Sequence, residues 1–154
     1  MKTKLLTLLL ASALAPLALL AAATKGAEPA VVSHGAPVDL AALAVPGKTT
    51  VFDFTSEYCP PCRGYTEPLH RLHAQRDDVA VVKIDINRAG VKGIDWKSPV
   101  AAQFKLHSIP HFKVFGPDGK LIAEDVIEFG PDGRPSKRES KARAMVDRWI
   151  AALK

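Results

Sequence analysis

The chain has 154 residues, of which 47% are hydrophobic and 24% are charged. This length suits one domain of ordinary size, and the composition is typical of a globular protein and excludes an intrinsically disordered one. The formal net charge is +5, but basic and acidic residues are interspersed near the C-terminus, which indicates a solvated surface and no nucleic-acid site.

The N-terminal segment has the composition of a secretory signal peptide. Met1–Lys4 carries two lysines, the run Leu5–Ala23 is uncharged and rich in Leu and Ala, and small residues follow. A basic start, an apolar middle and a small-residue exit are typical of such a signal. We expect residues 1–23 to direct export to a periplasmic or secreted location, with cleavage after Ala23 or as late as Ala27.

A membrane anchor is the alternative to a cleaved signal. The apolar run is about 19 residues long, close to the roughly 20 that span a bilayer as a helix. Pro16 within the run and the Ala-rich exit favour cleavage. Cleavage after Ala23 removes Lys2 and Lys4 and lowers the formal net charge from +5 to +3. We therefore expect membrane association only if the signal is not cleaved.

The next part of the chain is predicted as a linker, 24–37, followed by one folded domain, 38–154. The linker is rich in Gly, Pro and Ala and lacks periodicity. Residues 38–43 are predicted as a short strand or a turn of helix. The β-branched and aromatic run Thr49–Thr55 predicts a strand, and the spacing of apolar residues predicts a helix from Cys62 to about Arg76.

The middle of the domain repeats this order. Val79–Ile86 is a nearly continuous apolar run, which suits a strand buried on both faces. Asn87–Ser98 is predicted as a loop, and Pro99–Leu106 as a short helix. Ser98 suits the N-cap of that helix, because Pro99 then occupies the first helical position, where a missing N–H is tolerated.

Two strands and a helix are predicted to complete the domain. His111–Phe115 and Lys120–Ile127 flank a Gly-Pro-Asp-Gly turn and form a hairpin. A similar turn, Phe129–Arg134, precedes a helix predicted over Ser136–Leu153. Alternating strands and helices predict parallel pairing, and the hairpin adds antiparallel strands. The fold class is therefore α/β, with a mixed central β-sheet flanked by helices on both faces.

Cys59 and Cys62 are the only cysteines in the chain, and three interpretations compete for them. The first is a structural disulfide, which stabilises a fold mainly by restricting the unfolded chain. Closing so short a loop is worth only about 2 kcal/mol, against nearly 5 for a loop of about a hundred residues. The structural interpretation is therefore the least favoured.

A metal site is the second interpretation. Structural zinc takes four ligands, and a C-x-x-C motif supplies two of them. A copper or zinc site would need a histidine to complete it, and the histidines lack the usual paired spacing, so we interpret them as surface residues. The chain's histidines are His34, His70, His73, His107 and His111.

A redox-active pair is the third interpretation, and it fits the position of the motif best. Cys59 stands where the predicted strand meets the predicted helix, so the unpaired N–H groups of the helix N-terminus stabilise its thiolate. A lowered pKa makes this sulfur a nucleophile near neutral pH. Cys62 lies about one turn further and can resolve a mixed disulfide. Pro60 and Pro61 restrict the backbone between the two sulfurs.

The surrounding residues carry a family resemblance. The stretch V-F-D-F-T-S-E-Y-C-P-P-C-R resembles the strand and active-site segment of the thioredoxin family. Asp53 stands six residues before the first cysteine, where the family has an acid, and Lys83 matches the lysine that the family pairs with it. The stretch S-I-P-H-F around Pro110 resembles the segment in which a cis-proline faces the disulfide. The resemblance covers about residues 48–153.

This resemblance implies roles for individual residues. Asp53 would be buried, with a raised pKa, and would accept a proton from Cys62. Pro110, in the cis form, would expose backbone beside which an extended substrate can pair. The catalytic residues that it implies are Cys59, Cys62, Asp53 and Lys83. The substrate-binding residues that it implies are Tyr58, Pro60, Pro61, Ile109 and Pro110.

The sequence also departs from the family pattern. Tyr58 replaces the usual tryptophan before the first cysteine, and the loop 87–98 is longer than in the plainest members. Trp96 in that loop is expected either to form part of a partner surface or to cover the core. These differences leave the chemistry intact and concern substrate preference.

We therefore expect an exported, monomeric thiol–disulfide oxidoreductase that exchanges electrons with protein thiols and disulfides and needs no cofactor or metal. The C-P-P-C-R string and Ile109 before the proline resemble exported reducing members, so reduction is the expected direction. An upstream electron donor is then required, because exported compartments are oxidising. A disulfide-forming oxidase and a non-enzymatic copper- or zinc-handling protein that uses Cys59, Cys62 and a histidine are the alternatives.

Overall fold

The structure is a computed structural model that describes residues 27–153. The expected signal peptide and residues 24–26 of the expected linker lie outside this range. In chain order the elements are β1 (Ala30–Val32), α1 (Leu40–Leu43), β2 (Thr49–Thr55), α2 (Pro60–Gln75), β3 (Val79–Asp85), α3 (Pro99–Gln103), β4 (His111–Phe115), β5 (Leu121–Phe129), β6 (Pro135–Ser140) and α4 (Lys141–Ala151). None of the helices within 27–153 is long and apolar enough to cross a membrane.

The strands form one six-stranded mixed sheet in the order β1-β3-β2-β4-β5-β6. β1 and β2 pair with β3 in parallel, and the pairs β2–β4, β4–β5 and β5–β6 are antiparallel. Parallel strands need a crossover, which α2 supplies between β2 and β3. The predicted α/β class with a mixed sheet is confirmed.

Each face of the sheet carries its own apolar core, because the side chains of β2 alternate between the two faces and nearly all are buried. One core lies beneath α2 and α4, and its members include Val51, Leu69, Leu72, Phe112 and Val146. The other lies beneath α1 and α3, and its members include Leu40, Phe52, Phe54, Val100 and Leu106. Helices therefore cover both faces, as predicted.

The helix boundaries differ from the predicted ones for local reasons. α2 begins at Pro60, two residues earlier than predicted, because Cys59 is the N-cap and the prolines occupy the first two helical positions. Ser98 caps α3 as predicted, and its side chain accepts a hydrogen bond from the backbone N–H of Ala101 at 3.2 Å. α3 stops at Gln103, short of the predicted end, and Lys105 two residues later has a φ of 49°, outside the helical region.

The linker prediction is wrong for Ala30–Val32, which form β1. These residues pair in parallel with Val82–Ile84 of β3. A three-residue strand has no periodicity of its own to detect, and β1 exists because the edge of β3 offers hydrogen-bonding groups to it.

The prediction of a helix from Ser136 is also wrong at its start. Residues 135–140 form β6, and the helix α4 begins only at Lys141. The cause is the second Gly-Pro-Asp-Gly turn, which closes with the same hydrogen bonds as the first. Gly130 N–H donates to the carbonyl of Arg134 at 2.8 Å, as Gly116 N–H does to that of Lys120 at 2.8 Å. Such a turn directs the chain back alongside β5 and so favours a strand.

Candidate active site

Cys59 and Cys62 form a disulfide with an S–S distance of 2.04 Å and a Cα–Cα distance of 5.3 Å. Both side chains are nearly inaccessible, with 1% and 3% of their surfaces exposed. The disulfide lies at the edge of the sheet where β2 and β3 end and β4 begins, which follows from the parallel and antiparallel pairings of these strands. We call this the disulfide edge.

The start of α2 is built to stabilise a negative charge on Cys59. Pro60 and Pro61 have no backbone N–H, so the first N–H that α2 presents belongs to Cys62. That group donates to Cys59 Sγ at 3.1 Å. A thiolate at this position gains a charge-assisted hydrogen bond and the positive end of the helix dipole. The geometry therefore favours Cys59 over Cys62 as the nucleophilic sulfur.

Asp53 is buried at the centre of the sheet, and 1% of its surface is exposed. Its Oδ1 atom has no hydrogen-bond partner among residues 27–153. Burial raises the pKa of Asp53 to about 7, against the opposing charges of Lys83 and Arg143. Asp53 is directly opposite Lys83 on β3, so the predicted pair of acid and lysine is adjacent. A carboxyl group with this pKa can exchange a proton near neutral pH.

A cavity of about 230 Å³ lies beside the disulfide. Cys62 and Lys83 both contribute to its walls. Its other walls are Val31, Thr55, Ser56, Glu57, Arg63, Thr66 and Asp85. Asp53 does not line this cavity, which reaches the lysine of the buried pair and not its carboxyl group. A larger hollow of about 420 Å³ lies between α1, α3 and β4 and includes neither cysteine.

The bond between Ile109 and Pro110 is cis, as the resemblance implied. Pro110 directly precedes β4, whose first residue, His111, pairs with Phe54 of β2. The proline therefore lies at the disulfide edge, opposite the end of the strand that leads to Cys59. Pro110 is buried and Ile109 is half-buried.

Arg143 and Asp125 hold this segment and were missed by the sequence analysis. The guanidinium of Arg143 donates to the carbonyl oxygen of Pro110. The Asp125 carboxylate accepts from the backbone N–H of Phe112 at 3.1 Å and from that of Arg143 at 2.9 Å. Pro110 is thereby tied directly to α4, and Phe112 is tied to it through Asp125 of β5. Nothing local in the sequence distinguishes Arg143 from the other basic residues of the C-terminal region, which we had assigned to a solvated surface.

His111 corrects the interpretation of the histidines as surface residues. Its ring lies 5.6 Å from the ring of Phe54, and its Nε2 atom is buried without a hydrogen-bond partner among the described residues. Burial lowers its pKa to about 4, so the imidazole is neutral near pH 7. His111 pairs with Phe54 and not with Asp53, so its side chain lies on the face of the sheet opposite Asp53.

The metal interpretation gains no third ligand from this arrangement. Within residues 27–153, no group of three or more His, Cys, Asp and Glu side chains is placed to hold a metal ion. This range includes both cysteines and all the histidines of the chain.

Two aromatic side chains of the predicted partner surface, Tyr58 and Trp96, are exposed. Tyr58, next to Cys59, is 38% exposed, and Trp96 is 42% exposed. The loop that carries Trp96 is fixed by an ion pair between Arg88 Nε and Asp95 Oδ2 at 2.7 Å. A side chain this exposed does not seal the core, and the role of Trp96 in a partner surface stays a prediction.

Comparison with known proteins identifies the same family that the sequence resembles. A family model described as Thioredoxin matches residues 40–130, more than half of the chain. Thioredoxin H3 of Arabidopsis thaliana is 34% identical over 80 residues, which cover 52% of this chain and 59% of that protein. The chain spans about half the length of the curated relatives it matches, from 39% to 59%.

Solved structures share the fold. The reduced thioredoxin pre-protein of Schistosoma mansoni superposes with a TM-score of 0.51 at 18% identity, over 83% of this chain and 100% of that chain. A chain from the crystal structure of the complex of ferredoxin:thioredoxin reductase and thioredoxin f2 superposes with a TM-score of 0.52 at 19% identity, over 85% of this chain and 99% of that chain.

Proposed function

Because the chain belongs to the thioredoxin family, we propose that it is a thiol–disulfide oxidoreductase whose Cys59–Cys62 pair exchanges electrons with other proteins. The observation that carries this proposal is the hydrogen bond from the Cys62 N–H to Cys59 Sγ at the start of α2. It gives one of two neighbouring sulfurs the environment of a nucleophile and leaves the other one turn away to resolve the product.

The reducing reaction proceeds in two exchanges. The Cys59 thiolate attacks one sulfur of a substrate disulfide, so a bond forms between the two proteins and the second substrate sulfur leaves as a thiolate. Cys62 then loses its proton and attacks Cys59 Sγ. This restores the Cys59–Cys62 disulfide and releases the first substrate sulfur as a thiolate. Two electrons pass from the protein to the substrate, and each released thiolate takes up a proton from solvent.

Asp53 serves the second exchange by accepting the proton of Cys62. With a pKa of about 7 it is present in both protonation states near neutral pH, which suits a group that takes and returns a proton in each cycle. Lys83 keeps that pKa from rising further. We place the exit of the proton to solvent at the cavity that Cys62 and Lys83 share.

The substrate approaches at the disulfide edge. Pro60 and Pro61 are exposed, Tyr58 is exposed beside them, and the Ile109–Pro110 segment lies opposite the end of β2. An extended segment of the substrate would pair with the backbone of Ile109 and place its sulfur against Cys59.

The direction and location belong to the same proposal. The Leu- and Ala-rich N-terminal segment supports export, and the C-P-P-C-R string with Ile109 before the cis-proline supports reduction. An exported reductant must be supplied with electrons, because its compartment is oxidising. A separate donor protein that carries a dithiol is the partner that this requires, and the protein would act as a monomer.

The test is a protein-disulfide reduction assay on the purified protein. Insulin is incubated with dithiothreitol, and its reduction is followed as the chains precipitate. We expect catalysis that disappears in Cys59→Ser. A rate no greater than that of dithiothreitol alone, combined with stoichiometric binding of copper or zinc, would replace this proposal with the metal-handling alternative.

A further inference from the structure

β5 and β6 extend beyond the part of the sheet that β4 covers. Residues Leu121–Glu124 of β5 pair with β4, whereas residues Asp125–Phe129 of β5 pair with β6. We call residues 126–140 the hairpin arm. The family model ends at residue 130, inside the turn of this arm. The match therefore covers the first strand of the arm, including Phe129, and not its second strand.

The arm runs beside the cis-proline. Lys113 of β4 pairs with Glu124, and continuing this antiparallel register places Pro110 level with Ile127. β5 therefore passes the cis-proline and leaves the sheet at the disulfide edge. Any protein that reaches the disulfide from this side meets the hairpin arm.

An aromatic contact joins the arm to the segment before the cis-proline. The rings of Phe129 and His107 have centroids 4.5 Å apart. Phe129 is 41% exposed, and His107 is exposed three residues before Pro110. Phe129 is therefore an exposed aromatic side chain that is held next to the segment carrying the cis-proline.

The charges of the arm are largely paired with one another. Lys137 Nζ lies 2.8 Å from Glu139 Oε1 and 3.8 Å from Glu128 Oε1, and Arg134 Nε lies 3.8 Å from Asp132 Oδ2. Exposed pairs of this kind attract a charged partner only weakly. The apolar ring of Phe129 is then the feature of the arm that a partner would recognise.

The accessibility of the reacting sulfur explains why such a contact would matter. Only 1% of Cys59 is exposed, so a substrate sulfur reaches it only if the residues on either side of that sulfur lie against the rim of the site. From Phe129, His107 and Pro110 together, we propose that the hairpin arm is a docking element whose Phe129 contacts an apolar side chain flanking the reactive cysteine of an extended protein substrate. This inference rests on the proposed thiol–disulfide exchange.

The test uses Cys62→Ser, which leaves Cys59 as the one cysteine of the chain. Two blocked peptides differ only in the residues that flank their single cysteine, which are Leu in one and Ser in the other. Each cysteine carries 5-thio-2-nitrobenzoate as a mixed disulfide. The Cys59 thiolate attacks the peptide sulfur and forms a protein–peptide disulfide. The thionitrobenzoate that leaves is measured by its absorbance, and it is the favoured leaving group because its thiol is acidic.

We expect the Leu peptide to react about ten-fold faster than the Ser peptide, a difference typical of one well-placed apolar contact. Phe129→Ala in the same background should remove the preference by slowing only the Leu peptide, and Phe129→Leu should retain most of it. Ile122→Ala is the matched control. Ile122 is 53% exposed on the same strand and lies seven residues before Phe129, which is about 23 Å along an extended strand, so this variant should keep the full preference.

Two kinds of failure are distinguishable. A Leu preference that persists in Phe129→Ala, or its absence in the Cys62→Ser parent, overturns the docking role and leaves the exchange chemistry in place. A parent that reacts with both peptides no faster than a cysteine in a short unstructured peptide contradicts the proposed function itself, and the docking role with it.

Discussion

The guanidinium of Arg143 donates a hydrogen bond to the carbonyl oxygen of Pro110, so the C-terminal helix holds the cis-proline segment in place. The charge of the same side chain also opposes the rise that burial causes in the pKa of Asp53. One residue of α4 therefore contacts the substrate-facing segment and influences the group that handles the proton. Reduced activity alone would not separate these two effects, but the pH dependence does.

The first prediction concerns that pH dependence. Arg143→Met removes a positive charge near Asp53, so the pKa of Asp53 should rise, and the pH midpoint of insulin reduction should move to higher pH. Lys83→Met should move it further, since Lys83 lowers the pKa of Asp53 more than Arg143 does. Arg143→Lys keeps the charge and should keep the midpoint. An unchanged midpoint in both Met variants would show that Asp53 does not set it.

The second prediction concerns the step that Asp53 serves. Asp53→Asn cannot accept a proton, so turnover in insulin reduction at pH 7 should fall by about 100-fold, within the range for loss of a general base. The release of thionitrobenzoate by Cys62→Ser should change little when Asp53→Asn is added, because that reaction does not involve Cys62. Equal losses in both assays would instead indicate general damage to the site.

The third prediction is thermodynamic. The pKa of Asp53 is raised from 3.8 to about 7 by burial, so the folded protein binds more protons than the unfolded chain between those values. The free energy of unfolding therefore falls as the pH rises from about 4 to about 7, by up to about 4 kcal/mol from this group alone. Asp53→Asn does not titrate, so it removes this loss of stability at higher pH. Urea titrations of the two oxidised proteins give the free energy of unfolding of the variant and of the wild type. The variant's value minus the wild-type value should increase from about pH 4 to about pH 7 and be constant above about pH 8.

The fourth prediction has the opposite sign and concerns His111. Its pKa is lowered from 6.5 to about 4 by burial, so the unfolded chain binds more protons between those values. Stability from this group is present above about pH 6.5 and is lost as the pH falls toward 4, by up to about 3 kcal/mol. His111→Gln does not titrate, so its free energy of unfolding relative to the wild type should rise as the pH is lowered. A constant difference between pH 4 and pH 7 would mean that His111 titrates normally.

The local parts of the fold and of the site could be predicted from the sequence. Thr49–Thr55 is a strand over the range predicted, because a β-branched and aromatic run between turn residues has one compatible structure. The redox pair at the start of a helix followed from the C-x-x-C motif and its position, and the Asp53–Lys83 pair followed from the resemblance to the thioredoxin family. Each of these features depends on residues close in the chain or on a motif with fixed spacing.

The features that were missed depend on contacts between distant residues. β1 exists only because β3 offers an edge to it, and Arg143 reaches Pro110 across 33 positions of the chain. β6 is different, because the turn that precedes it is visible in the sequence even though the strand itself is not. Its turn repeats the Gly-Pro-Asp-Gly of the preceding hairpin, and the exposed, charged residues that follow gave no apolar alternation to reveal the strand.

The equilibrium reduction potential of the Cys59–Cys62 pair tests the central claim most directly. The oxidised protein is equilibrated in buffers with defined ratios of reduced to oxidised dithiothreitol. The free thiols that form are then alkylated and counted by mass spectrometry. A reversible two-electron transition near about −270 mV is the result expected for a reducing member of the family. A value near about −120 mV would assign the protein to disulfide formation, and the absence of a reversible transition would contradict the account of these cysteines as a redox centre.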